Sequence, residues 1–79
     1  MLVKILGSGC TKCNRLERNV KAVIEKHQLT DISVEKVTDL SQILSYGILM
    51  TPGLIIDEET KSSGIIPKDD QLLSWLRGA

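Results

Sequence analysis

The hydrophobic period of this chain changes at one place, and that change restricts what it can fold into. Leu2-Val3-Lys4-Ile5-Leu6 is β-prone and stops at Gly7-Ser8-Gly9, which reads as a strand followed by a tight loop. From Cys10 onward the repeat is helical. Cys13, Leu16, Val20, Val23, Ile24 and His27 recur on one stripe, while Arg15, Arg18, Lys21 and Glu25 occupy other faces. This predicts a helix of several turns ending near Gln28. Ile32-Ser33-Val34-Glu35-Lys36-Val37 supplies the next strand. A strand, a long amphipathic helix and a second strand make a β-α-β unit, whose crossover should be right-handed and its strands parallel.

The remainder can be assigned by the same signals. Thr38 or Asp39 caps a short helix with Leu40, Ile43 and Leu44 on its apolar face, and Gly47 ends it. Thr51-Pro52-Gly53 precedes a strand, Leu54-Ile55-Ile56. The acidic loop Asp57-Glu58-Glu59, longer than a two-residue turn, leads to a fourth strand near Thr60 to Ser63. Pro67 suits the first turn of a last helix, whose apolar face is Leu72, Leu73 and Leu76. Trp75 should cover an edge of the core and Tyr46 should pack at the end of the second helix. The expected order is β-α-β-α-β-β-α, an α/β fold with a four-stranded mixed sheet flanked by helices, in one domain spanning 1–79.

Composition removes several function classes. Ten Lys+Arg balance ten Asp+Glu, so no net field favours nucleic acid or an anionic membrane. Tyr46 and Trp75 are the only aromatic residues, too few for base-stacking platforms. The apolar start, Met1 to Leu6, is broken by Lys4 and is too short for a signal sequence or a span. A cytoplasmic location is therefore expected. In that compartment a cysteine pair points to redox or metal chemistry before a structural bridge.

The two cysteines stand at the strand-to-helix junction, in Gly7-Ser8-Gly9-Cys10-Thr11-Lys12-Cys13. A first helical turn carries unpaired backbone N–H groups and the positive end of the macrodipole. Both favour a thiolate at Cys10 over a thiol, and Lys12 adds positive charge nearby. Residues three apart on a helix have Cβ atoms about 5–6 Å apart. A disulfide needs about 3.5–4.5 Å, so a small adjustment closes the bridge. The enclosed loop is so short that the bridge stabilises by only about 2 kcal/mol before strain. Such a bond suits opening and closing better than stapling. Cys10 is assigned as the attacking nucleophile. Cys13, on the stripe with Leu16 and Val20, is assigned as the buried resolving thiol.

These residues, with Tyr46-Gly47-Ile48-Leu49-Met50-Thr51-Pro52-Gly53-Leu54-Ile55-Ile56-Asp57 and Gly64, resemble the thioredoxin/glutaredoxin superfamily. The small redox-active disulfide proteins of thioredoxin-like type are the nearest in pattern, and the likeness covers nearly the whole chain. It implies a thioredoxin-like fold and a protein-disulfide reductase whose only prosthetic chemistry is a redox-active Cys10–Cys13 disulfide, with no metal and no other cofactor. On the residues alone Pro52 reads as an ordinary strand-initiating proline, since only about 5–6% of X-Pro bonds are cis. The resemblance implies instead a cis-proline facing the dithiol, with the Thr51 backbone offered to an extended partner chain. Gly9, Thr11 and Lys12, beside the cysteines, complete the expected substrate-binding set.

The sequence also departs from that pattern. Thr11-Lys12 replaces the Gly-Pro of thioredoxins and the Pro-Tyr of many glutaredoxins, and Ser8-Gly9 stand where thioredoxins carry a tryptophan. A redox potential is therefore not carried over. Gly64 is single and Asp69-Asp70 lie beyond Pro67, unlike the glutathione-binding glycine pair and acidic residues of glutaredoxins. The expected partners are disulfide-containing proteins, with a thioredoxin-reductase-like flavoprotein as electron donor in preference to glutathione. A monomer is expected. The competing reading is a soft-metal carrier binding Cu(I) or Zn through the same cysteines. Domains of that kind with a ferredoxin-like fold run β-α-β-β-α-β and end in a strand, whereas this chain is expected to end in a helix.

Overall fold

A computed structural model describes residues 1–7 and 11–78. Ser8, Gly9, Cys10 and Ala79 lie outside the described residues, and so do the expectations placed on Gly9 and Cys10. The elements are β1 (Leu2–Leu6), α1 (Thr11–Lys26), β2 (Ser33–Val37), α2 (Leu40–Ser45), β3 (Gly53–Ile56), β4 (Glu59–Ser63) and α3 (Asp69–Leu76). The order is the expected one, with a helix, α2, between β2 and β3. The ferredoxin-like order of the soft-metal carriers is thereby excluded.

Strands are arranged β2-β1-β3-β4 in one mixed sheet. β1 runs parallel to β2, with Leu2 opposite Ser33 and Leu6 opposite Val37. It runs antiparallel to β3, with Val3 opposite Ile56 and Leu6 opposite Gly53. Alternation along the strands divides the apolar residues between two faces. Val3, Ile5, Leu54 and Ile56 pack with Leu16, Val20 and Val23 of α1 and with Leu72 and Leu76 of α3. Leu6, Val37 and Ile55 face the other way and meet Ile43 of α2 and Ile48. β1 and β3 are buried from both sides, which explains their nearly unbroken apolar runs.

Four details differ from the expectations. The β3–β4 hairpin closes through two residues, Asp57 and Glu58, at φ of 48° and 69°. The sequence carries no glycine there to announce such a turn. Asp57 tolerates this conformation because its carboxylate accepts the Leu2 N–H at 2.8 Å. Glu58 is held by an ion pair with Lys4 at 3.0 Å. Pro67 lies outside α3, not in its first turn. The helix is capped at Lys68 without a side-chain hydrogen bond, and Asp69 and Asp70 answer the macrodipole in the first turn. In α2, Asp39 is the cap and accepts the Ser41 N–H at 2.8 Å, but only Ile43 is buried. Leu40 and Leu44 face solvent, because one turn and a half of helix cannot reach the sheet twice. His27, read on the α1 stripe, is exposed beyond the helix end.

The face under α2 is only partly covered. Its open part is a polar groove of about 630 Å3 lined by Lys4, Glu35, Gln42, Tyr46, Glu58 and Thr60. Lys4 donates to the Tyr46 hydroxyl and to Glu58, and its ammonium also lies 5.1 Å from the Tyr46 ring centre. The Tyr46 hydrogen bond first, then Glu58, raises the Lys4 pKa above the ordinary lysine value. A raised lysine contributes its stabilisation fully below the unfolded pKa and loses it only as pH rises through the folded one. The Lys4 side of this contact is therefore insensitive to pH across the neutral range and is lost in strongly alkaline solution.

Among the described residues, one buried side-chain polar group is unmatched. Ser62 is 8% exposed on β4, and its hydroxyl has no hydrogen-bond partner. A buried hydroxyl left unpaired loses its water without return, about 1–3 kcal/mol. Ser62→Ala is expected to raise the melting temperature by several degrees, since about 1 kcal/mol shifts a chain of this size by ~4–8 °C. An unchanged or lower melting temperature by scanning calorimetry would show that the hydroxyl is not a liability.

Candidate functional site

The site lies where β1 ends, α1 begins and β3 starts. Because β3 is antiparallel to β1, the Leu6–Gly53 register brings the start of β3 beside the end of β1. Gly7 continues the strand by one residue, donating its N–H to the Val37 carbonyl at 2.9 Å. Thr51 and Pro52, just before β3, therefore sit at the same sheet end as the start of α1. This is the end of a parallel β-α-β unit at which helix N-termini and strand carboxyl ends converge.

Cys13 occupies the first turn of α1 and is wholly buried, the innermost residue of the stripe continued by Leu16 and Val20. It is disulfide-bonded. Its sulfur lies directly against the Gly7 backbone. A carbon built at the Cβ position of Gly7 would stand 2.2 Å from Cys13 Sγ and 3.5 Å from Thr51 Cβ. The sulfur and the Thr51 side chain thus converge on the same bare α-carbon. Thr11 and Lys12 are exposed on the first turn. Beyond them, α1 is tied to β2 by Lys36, which donates to Asn14 at 3.0 Å and lies 3.7 Å from Glu17.

The Thr51–Pro52 peptide bond is cis, Pro52 is fully buried and Thr51 is exposed. The segment is held from the β4 side. The Gly64 N–H donates to the Pro52 carbonyl at 2.8 Å, and the Ser63 hydroxyl donates to the Met50 carbonyl at 3.0 Å. Gly64 takes φ of 77° and approaches Met50 so closely that a Cβ there would be 3.0 Å from Met50 Cβ. Glycine answers both demands at once. Leu49 and Met50, immediately before Thr51, are 87% and 67% exposed, and Ile65 after Gly64 is 57% exposed.

Sequence reasoning singled out Cys13, Thr51 and Pro52, and these residues share one end of the sheet. It missed the contact of Gly7 with the sulfur, because residues six apart in sequence carry no spacing signal across a loop. It also missed the apolar surface of Leu49, Met50 and Ile65. The available signal was two large apolar residues placed before a Thr-Pro pair, outside any strand or helix stripe.

Helices on both faces of a mixed four-stranded sheet, with a disulfide-bonded cysteine at the start of the first helix, are the architecture of a thioredoxin-like protein. The family model for the thioredoxin domain matches residues 1–77. A thioredoxin of Methanocaldococcus jannaschii is 34% identical over 82 residues, covering 99% of this chain and 93% of its own. A thioredoxin of Methanothermobacter thermautotrophicus is 32% identical over 72 residues, covering 91% and 92%. The chain belongs to the thioredoxin family and is a thioredoxin-like redox protein.

Proposed function

We propose that this protein is a dithiol–disulfide oxidoreductase that reduces disulfide bonds of other proteins through Cys10 and Cys13. The observation that carries the reading is the state and place of Cys13: buried, disulfide-bonded and lodged between Gly7 and the Thr51 segment. The chain holds two cysteines, and the reading pairs Cys13 with Cys10.

The reaction is two successive exchanges. The Cys10 thiolate attacks a disulfide of the partner. A bond forms to Cys10, the partner's sulfur–sulfur bond breaks, and one partner thiolate leaves. Cys13 then gives up its proton and attacks the Cys10 sulfur. The mixed disulfide breaks, the second partner thiolate leaves, and the Cys10–Cys13 bond is complete. Two electrons have passed to the partner. A dithiol donor restores the pair by the same steps in reverse.

The surroundings suit a polypeptide substrate. Thr51 is exposed at the start of β3, with Leu49, Met50 and Ile65 supplying apolar area around it. Gly9, Thr11 and Lys12 would meet the same partner from the cysteine side. For the electron donor, a thioredoxin-reductase-like flavoprotein fits better than glutathione. Asp69 and Asp70, the acidic pair available for a tripeptide, stand in the first turn of α3, and Asp70 is engaged with the Gln71 N–H at 2.9 Å. We place the protein in the cytoplasm as a monomer. Among the described residues no helix is long and apolar enough to cross a membrane.

Thiol labelling in graded dithiothreitol or glutathione buffers tests the reading. A reversible two-electron couple between about −180 and −270 mV is expected, the range of thioredoxins and protein disulfide isomerases. Failure to form an intramolecular bridge under oxidising conditions would exclude the mechanism.

A further inference from the structure

Gly7 follows directly on β1, and its bare α-carbon is the surface on which the Cys13 sulfur rests. A Cβ at this position would lie 2.2 Å from Cys13 Sγ and 3.1 Å from Cys13 Cβ. Neither side can yield easily. Gly7 is buried and tied into the β1–β2 ladder through its N–H to Val37. Cys13 is fixed by α1, whose Leu16 and Val20 are wholly buried. The softest coordinate left is the Cys13 side-chain torsion, which carries the sulfur.

We infer that Gly7 is a positioning residue for the redox couple: by leaving room for the Cys13 sulfur in its disulfide-bonded place, it sets the balance between disulfide and dithiol. The inference rests on the proposed Cys10–Cys13 exchange. A methyl group at Gly7 pushes the sulfur out of the position it holds in the oxidised protein. In the reduced protein the sulfur has lost its second covalent tether, and a turn about the side-chain torsion relieves the 2.2 Å contact, leaving the 3.1 Å one to Cβ. The substitution therefore penalises the disulfide more than the dithiol, and the couple becomes easier to reduce.

The test is equilibration of the full chain with dithiothreitol, which passes two electrons and two protons to the disulfide and closes to its own ring. Gly7→Ala is expected to shift the exchange constant toward the dithiol by tenfold or more, equivalent to about 30 mV upward for a two-electron couple. Gly47→Ala is the comparison. Gly47 has φ of 76° but nothing within 4 Å of its Cβ position, so that variant should lose stability with its exchange constant unchanged. A Gly7→Ala protein that melts lower yet keeps the wild-type exchange constant would overturn the inference, since Gly7 would then be merely structural.

A wild-type chain with no reversible couple would defeat the proposed function, and a second measurement still decides whether the sulfur is what Gly7 accommodates. The drop in melting temperature caused by Gly7→Ala is compared in the wild-type and Cys13→Ala backgrounds. A drop at least halved without the sulfur supports the contact, as does a Gly7→Ala protein that folds only in the Cys13→Ala background. Equal drops, or failure to fold in both backgrounds, count against it.

Discussion

The Cys10→Ser variant is expected to turn over no disulfide substrate, and the Cys13→Ser variant to stop one step later, with the partner held covalently on Cys10. The two cysteines are not equivalent in the proposed exchange. Cys13 is wholly buried and packed against Gly7, so an incoming disulfide has no direct approach to it. Its geometry suits attack from inside, on a sulfur already joined to its neighbour. Serine in place of Cys10 removes the only thiolate that could open the reaction, and a hydroxyl does not substitute because it stays protonated at neutral pH. Serine in place of Cys13 leaves the first exchange intact and removes the second. The measurements are insulin-disulfide reduction with dithiothreitol as donor and non-reducing electrophoresis of each variant with a disulfide-bearing protein. Activity of Cys10→Ser above the uncatalysed rate would rule out the assigned nucleophile. A Cys13→Ser chain that collects no mixed disulfide would reverse the assignment of roles.

Much of this architecture was legible because local signals and tertiary packing agree. The change of period at Gly7-Ser8-Gly9 fixed β1 and α1, and the buried residues of α1 are members of the predicted stripe: Cys13, Leu16, Val20 and Val23. The places where reading failed are those where a local rule had a tertiary override. Asp57-Glu58 forms a two-residue turn at positive φ without glycine, because Leu2 and Lys4 reach across from β1 to hold it. Leu40 and Leu44 look like a helix face by spacing, yet the sheet beneath α2 is met by Ile43, with Tyr46 and Ile48 from the chain after the helix. At the site, the sequence singled out Cys13, Thr51 and Pro52 but not the wall behind them. Closeness of Gly7 to a sulfur depends on how tightly α1 docks on β1, a distance no one-dimensional pattern encodes.

Leu16→Ala is expected to bring the protein close to unfolding, whereas Leu49→Ala leaves its stability nearly unchanged. The chemical change is identical, and burial decides. Leu16 is 0% exposed at the centre of the cluster joining α1, α3 and the sheet, and Leu49 is 87% exposed. Truncating a buried leucine costs about 2–5 kcal/mol, the lost transfer energy plus the cavity left behind. Domains are stable by about 5–15 kcal/mol in total, and a chain of 79 residues sits toward the low end because it buries a smaller share of its surface. A loss of this size removes a third or more of that margin. With a urea slope of about 1 kcal/mol/M for so small a chain, the midpoint should fall by ~2 M or more. Leu49→Ala should stay within about 0.5 kcal/mol of the parent. Leu49 lies beside the Thr51 segment, so its substitution should instead weaken capture of protein disulfides while leaving reaction with dithiothreitol intact. Equal destabilisation by the two variants would mean that Leu49 is buried in solution and that the apolar surface assigned to the partner chain belongs to the core.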